Sequence, residues 1–115
     1  MNIEEIQFHQ LKPNVIMLKL PPQLLGGNLT SRFTEIIEKI KTQKIEFVLL
    51  DLSQVELINS LGLGMIVAAF TSLKKNSISL VLISPTEKVS NLLNITHLNT
   101  IFKIYYSTEE FLNTI

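Results

Sequence analysis

The side chains most often used in catalysis and metal binding, cysteine and histidine, are few in this chain. The sequence has no cysteine, and its two histidines, His9 and His97, stand far apart with no metal-ligand spacing around them. No histidine is paired with an acid by motif, and no G-x-x-x-x-G-K phosphate loop is present. These observations favour a binding protein over an enzyme, and they predict no catalytic residue, no cofactor and no metal site.

Hydroxyl and carboxylate groups gather in the segment that follows residue 50. Asp51 and Ser53 have the residue types of a phosphate or metal site, but a strand-ending acid and a turn-forming hydroxyl are much commoner in such loops. Ser60 has the residue type and position to cap a helix by accepting a bond from a free backbone N–H group. The structural interpretation is favoured for all three residues, and a helix is predicted to begin near Leu61.

The helix that starts there is unusual because its first turns have almost no polar face. Residues 61–70 read LGLGMIVAAF, whereas a surface helix normally alternates apolar and polar faces. Either neighbouring elements cover this helix, or its exposed side is a docking site. Gly62 and Gly64 favour docking, because each costs about 1 kcal/mol of helix propensity relative to alanine and lets another backbone approach closely. That backbone could also belong to the protein's own sheet, which explains one glycine more readily than two.

Short apolar runs alternate with helical patterns along the whole chain. The pattern predicts the order ββαβαβαβα, with a turn at residues 12–14 joining the first two strands as an antiparallel hairpin. Strands are predicted at residues 3–8, 15–20, 45–50, 78–83 and 101–105, and helices at 29–40, from 61 onward, at 85–93 and at 107–112. Such alternation predicts an α/β fold with a mixed, mostly parallel sheet packed with helices.

Length and charge narrow the classes of function. A chain of 115 residues with 46% apolar residues suits one compact domain. Ten basic and ten acidic residues give zero net charge, which disfavours nucleic acid or an anionic membrane as partner. No apolar run approaches the roughly 18 residues of a membrane span, and the amino terminus is acidic where a secretory signal is basic. We therefore expect a cytoplasmic protein without direct membrane insertion.

One long motif gives the chain a family resemblance. DLSQVELINSLGLGMIV resembles the signature of STAS domains, the anti-sigma-factor antagonists and their relatives, whose usual form is D-L-S-x-V-x-x-I-D-S-S-G-L-G. The resemblance continues through SPTEKVSNLLNITHLNTIFKIYYSTEEFL, which is similar to the closing strand and helices of the family. It implies a single STAS domain over residues 1–115, with helices mainly on one side of the sheet.

The resemblance also implies a function and a contact surface. In this family, an antagonist binds a serine-kinase anti-sigma factor, which is an ATP-binding protein, and so frees the sigma factor. Phosphorylation of a serine at the start of the second helix ends that binding. The resemblance places the partner-binding surface on Leu25, Asn59, Ser60, Leu61, Gly62, Leu63 and Gly64.

Three departures from the family pattern surround that surface. Leu61 stands at the position of the phosphorylated serine, Asn59 replaces an aspartate, and Leu25 replaces the aspartate of the family's G-x-L-D. Leucine cannot accept a phosphoryl group, so we expect partner binding without the usual phosphorylation control, with Ser60 as the residual candidate acceptor.

Two other interpretations stay open. The chain could be a STAS subunit of another assembly, such as a sensory scaffold or the cytoplasmic accessory subunit of a lipid transporter. It could also be a homo-oligomer that buries the apolar helix against its own copy.

Overall fold

Five strands form the central sheet of the computed structural model, which describes residues 5–115. They are β1 (Gln7–Lys12), β2 (Val15–Lys19), β4 (Phe47–Asp51), β6 (Ser79–Ile83) and β7 (Lys103–Tyr105), in the spatial order β1-β2-β4-β6-β7. The hairpin of β1 and β2 is antiparallel, and the other neighbours are parallel. The predicted mixed, mostly parallel sheet is confirmed.

The two central strands are apolar on both faces, as their nearly continuous apolar runs predict. Val48 and Leu50 of β4 pack in the main core, whereas Leu49 between them packs in a smaller cluster on the opposite face. Alternation of side chains across the strand explains the division. Both faces of the sheet are therefore covered.

Three helices cover the main core, and one short helix covers the other face. The helices are α1 (Asn28–Lys41), α2 (Ser60–Lys74), α3 (Glu87–Ile95) and α4 (Thr108–Leu112), with a 3-10 turn at Leu98–Thr100. α1, α2 and α3 bury Phe33, Ile66 and Leu93 in the main core. Phe111 of α4 makes edge-to-face contacts with Phe47 and Tyr105 at centroid distances of 5.2 Å. Helices thus lie mainly on one side, as the resemblance implies.

Two short strands are absent from the predicted order. β3 (Gln23–Leu24) and β5 (Leu57–Ile58) pair in parallel as a separate two-stranded sheet, with Leu24 opposite Ile58. Two residues are too few to show any hydrophobic period, so the sequence pattern misses them. Without β3 and β5, the order ββαβαβαβα is confirmed.

The predicted boundaries differ most at the first strand. The sequence pattern predicts this strand at residues 3–8, of which 3 and 4 lie outside the described residues, but β1 begins only at Gln7 and continues to Lys12. The last strand begins at Lys103 instead of residue 101, because the 3-10 turn and its end occupy the preceding residues. Similarly, α3 starts at Glu87 instead of residue 85, because Thr86 caps it by accepting from the Val89 N–H.

None of the helices within residues 5–115 has the length and apolarity needed to cross a membrane.

Candidate functional site

The amino-terminal end of α2 is capped by Asn59, and the prediction that Ser60 caps it is wrong. The Oδ1 atom of Asn59 accepts from the backbone N–H of Gly62 at 2.9 Å, and Asn59 has the extended backbone of a cap residue. Ser60 is already the first helical residue, one position before the predicted start. Ser60 is exposed, and its hydroxyl makes no hydrogen bond to the described part of the chain. Asparagine is as good a cap as serine, so residue type alone does not distinguish the two.

Asn59 also ties α2 to the chain that follows β3. Its Nδ2 group donates to the Leu25 carbonyl at 3.4 Å, and its backbone N–H donates to the Leu24 carbonyl at 3.3 Å. An aspartate could accept from Gly62 in the same way, but an ionised carboxylate has no proton to donate to Leu25. The asparagine therefore makes a cap and a tether that the family's aspartate could make only in part.

The protein's own backbone leaves no room for a side chain at Gly62. A Cβ atom at this position would lie 2.0 Å from the Leu24 carbonyl oxygen, far inside van der Waals contact. Gly64 differs, because a Cβ atom there would meet nothing within 4 Å. One glycine thus serves the fold, and only the other lies on the exposed side of the helix.

Two exposed leucines dominate the outer side of this region. The exposed fraction is 64% for Leu61 and 42% for Leu25. The Leu61 side chain lies over Gly26, since a Cβ atom built on Gly26 would be 3.1 Å from the Leu61 Cβ. Gly26 has a φ of +91°, a conformation that favours glycine, and it turns the chain from β3 toward α1.

Five of the seven predicted contact residues share this exposed surface with Gly26. We call it the leucine surface, and its members are Leu25, Gly26, Asn59, Ser60, Leu61 and Gly64. None of them carries a charge. The other two predicted residues, Gly62 and Leu63, are buried within the domain, so neither offers a side chain to a partner.

Gly26 was not predicted as part of the surface. The dipeptide Gly26–Gly27 directly after Leu25 is a strong turn signal, and it could have shown that the chain reverses there. Its contact with Leu61 depends on the pairing of β3 with β5, which the sequence pattern does not reveal.

The two explanations considered for the apolar character of α2 are coverage by neighbouring elements and an exposed apolar side, and α2 has both features. Its inner side is covered, with Met65, Ile66, Ala69 and Leu73 buried in the core. Its outer side remains exposed at Leu61, Gly64 and Ala68. Coverage by neighbours therefore accounts for one side of the helix and leaves the other available.

Asp51 has the structural role that the sequence favours, whereas Ser53 takes part in the turn through its backbone N–H and not through its hydroxyl. The Oδ1 atom of Asp51 accepts from the backbone N–H of Ser53 at 2.9 Å and closes a local turn after β4. Within residues 5–115, no group of three or more His, Cys, Asp or Glu residues is placed to hold a metal ion.

Comparison with known proteins identifies relatives by sequence. The family model described as the STAS domain matches residues 9–111. A Thermotoga maritima protein provisionally named as an anti-sigma factor antagonist is 41% identical over 63 residues, which is 55% of this chain and 56% of that protein. A Thermotoga neapolitana homologue with the same provisional name is 41% identical over 68 residues, covering 59% and 60%. The matches thus span little more than half the length of these relatives.

Solved structures extend the similarity to the whole fold. A crystal structure of a Thermotoga maritima protein, also provisionally named an anti-sigma factor antagonist, has a TM-score of 0.81 and 28% identity, covering 96% of this chain and 93% of that one. The phosphorylated form of the Bacillus cell fate determinant SpoIIAA has a TM-score of 0.76 at 13% identity, covering 96% and 98%. At that low identity the second match shows the fold alone.

Proposed function

Because this chain belongs to the STAS domain family, we propose that it is an anti-sigma factor antagonist that acts by binding alone. Its partner is an anti-sigma factor of the ATP-binding, serine-kinase type, and the contact forms on the leucine surface. The observation that carries this proposal is the 64% exposure of Leu61 at the start of α2, where the family signature lies. A protein that regulates transcription in this way acts in the bacterial cytoplasm.

The leucine surface has the properties of a contact centre. Leu25 and Leu61 are 42% and 64% exposed, so covering both removes from water about as much apolar surface as one fully exposed leucine, which contributes about 1.5–3 kcal/mol. The surface carries no charge, so a partner need not remove water from an ion to cover it. Asn59, which is tied to Gly62 and Leu25, holds the two leucine-bearing segments side by side.

In our proposal, phosphorylation does not regulate partner binding at the leucine surface. A phosphate adds about −1.5 to −2 charges, which a helix amino terminus accommodates but a close apolar contact does not. Leu61 cannot carry a phosphate, and the surrounding residues Leu25 and Asn59 lack the carboxylates of the family pattern. The contact is therefore permanent, and the amount of antagonist sets how much anti-sigma factor is bound.

Binding is tested with a serine-kinase-type anti-sigma factor from the same organism by isothermal titration calorimetry. We expect Leu61→Asp to weaken the affinity at least tenfold, because it places a charge in the centre of the contact. Ile101→Asp is the matched control. Ile101 is also exposed, but it lies beside Phe70 and Lys74 at the other end of α2, so its substitution should leave the affinity unchanged. Equal effects of the two substitutions would place the contact elsewhere.

Phosphorylation is tested by intact-mass measurement after incubation with the same kinase and ATP. We expect the wild-type mass to stay constant, whereas Leu61→Ser restores a hydroxyl at the family position and should gain one phosphate. Stoichiometric phosphate on the wild-type protein, lost in Ser60→Ala, would show that Ser60 has taken over the switch.

A further inference from the structure

Strand β1 forms an open edge of the central sheet. It pairs with β2 on one side, and no strand of residues 5–115 pairs with its other side. Its residues from Gln7 to Gln10 are all exposed. Proteins usually protect such an edge with lysines, proline or a very short strand. β1 spans six residues, contains no proline, and carries its one lysine only at its end, as Lys12.

Phe8 is the second residue of β1, and it is the central position of the longer edge from Glu5 to Lys12 once Leu11 is left out as the extra residue of a bulge. It lies opposite Leu18 in the hairpin, and Leu18 is fully buried in the main core. Paired residues point to the same face of a sheet, so Phe8 lies on the core side. It is nevertheless 50% exposed, and the apolar layer therefore reaches the surface at this edge.

We propose that two copies of this chain associate through β1, antiparallel and about a twofold axis at Phe8, so that the sheet continues from one copy into the other. In that register the two Phe8 rings meet across the axis, and Gln7 lies opposite His9 of the second copy. Residues that face each other in an antiparallel ladder either exchange two backbone hydrogen bonds or bring their side chains close together. Whichever kind of pair the two Phe8 residues form, the alternation of the two kinds along the ladder gives the outward-facing backbone groups of β1 hydrogen-bond partners.

Charge complementarity selects a second copy as the occupant. In the hairpin, Gln10 pairs with Ile16 and Lys12 pairs with Val15, so Leu11 is the extra residue of a bulge and Lys12 takes the next ladder position. Ile6 and Glu5 precede β1, and in the proposed dimer they extend the ladder beyond Gln7. With Phe8 on the axis, Ile6 then lies opposite Gln10 of the second copy, and Glu5 lies opposite its Lys12. Symmetry forms this ion pair twice, once at each end of the joined strands.

The association is weak and depends on concentration. An edge of six residues buries less area than a standard stable interface, so the dimer belongs among transient assemblies. It uses none of the residues of the leucine surface, and a dimer can therefore form whether or not that surface binds an anti-sigma factor. The two proposals fail or hold independently.

Disulfide trapping tests the register directly, because the chain has no cysteine of its own. A disulfide needs Cα atoms about 4.4–6.8 Å apart, which facing residues in an antiparallel ladder satisfy. We expect Phe8→Cys to form a covalent dimer under mild oxidation. Lys12→Cys alone should not, because its two copies lie roughly 20 Å apart or more at about 3.4 Å per residue. Mixing Glu5→Cys with Lys12→Cys should give the mixed dimer.

Sedimentation of the full chain tests the association without cross-links. Glu5→Lys and Lys12→Glu should each weaken the dimer about tenfold by placing like charges opposite each other, and the double reversal should restore it. Faster cross-linking of His9→Cys than of Phe8→Cys overturns the proposed register. A wild-type chain that stays monomeric up to about 1 mM overturns the dimer itself.

Discussion

Helices α1 and α2 cover the same face of the sheet, but their outer sides differ. α1 buries Leu29, Phe33, Ile37 and Ile40, and its outer side is polar, with Glu35, Glu38 and Lys39 exposed. α2 buries an equivalent apolar row but exposes Leu61, Gly64 and Ala68 on its outer side. The inner rows hold the fold together, so the outer side of α2 is where function can be separated from stability. Three comparisons of substitutions, ordered by expected effect on stability, test that separation.

The largest difference in the free energy of unfolding is expected between substitutions of two apolar side chains, Phe33 on α1 and Leu61 on α2. Phe33 is 1% exposed, and Phe33→Ala should lower the free energy of unfolding by about 3–5 kcal/mol through lost burial and a cavity. Leu61→Ala should change it by no more than about 0.5 kcal/mol, since most of that side chain is already in water. Urea unfolding followed by circular dichroism measures both. A comparable loss in Leu61→Ala would make Leu61 part of the core.

The second test compares the two glycines within α2. Gly62→Ala should lower the free energy of unfolding by about 3 kcal/mol, because its methyl group collides with the Leu24 carbonyl. Gly64→Ala should raise it by about 0.5–1 kcal/mol, because alanine has the higher helix propensity and the space is open. The same unfolding measurement applies. If Gly62→Ala proved harmless, β3 could not lie as close to α2 as described.

The smallest difference in stability is expected among substitutions at the cap of α2. Asn59→Ala should cost about 1 kcal/mol of stability by leaving the Gly62 N–H without its acceptor. Ser60→Ala should change stability by less than about 0.5 kcal/mol, because the Ser60 hydroxyl makes no hydrogen bond in the described structure. Asn59→Asp, which can still cap but cannot donate to Leu25, should lie between the two. Thermal unfolding of the three variants gives the order, and a larger loss in Ser60→Ala would reverse the assignment of the cap.

The central fold could be predicted from sequence because its elements are long enough to show their periods. The apolar runs at 45–50 and 78–83 became β4 and β6 within a residue or two, and the pattern of Leu29, Phe33, Ile37 and Ile40 became the inner side of α1. The ends were less predictable. Local hydrogen bonds from Asn59 and Thr86 decide where α2 and α3 begin, and several neighbouring residue types could have formed them.

The motif indicates where the candidate site lies, but the different roles of its residues could not be predicted. Gly62 and Gly64 look alike in sequence, and only the position of the Leu24 carbonyl gives them different roles. Leu25 and Leu61 lie 36 positions apart, and the contact between Leu61 and Gly26 results from tertiary structure. Sequence spacing contains no information about such an approach.

For the binding proposed at the leucine surface, the pairing of β3 with β5 has a consequence for the rate and the entropy of association. Leu24 lies opposite Ile58, so the residues that follow the two strands, Leu25 and Asn59, leave the small sheet side by side and are joined by a hydrogen bond. A surface held in this way has little backbone freedom left to lose on association. It also lacks charges that would steer a partner. Association should therefore proceed at an unsteered rate of about 10⁵–10⁶ M⁻¹s⁻¹ and respond little to ionic strength.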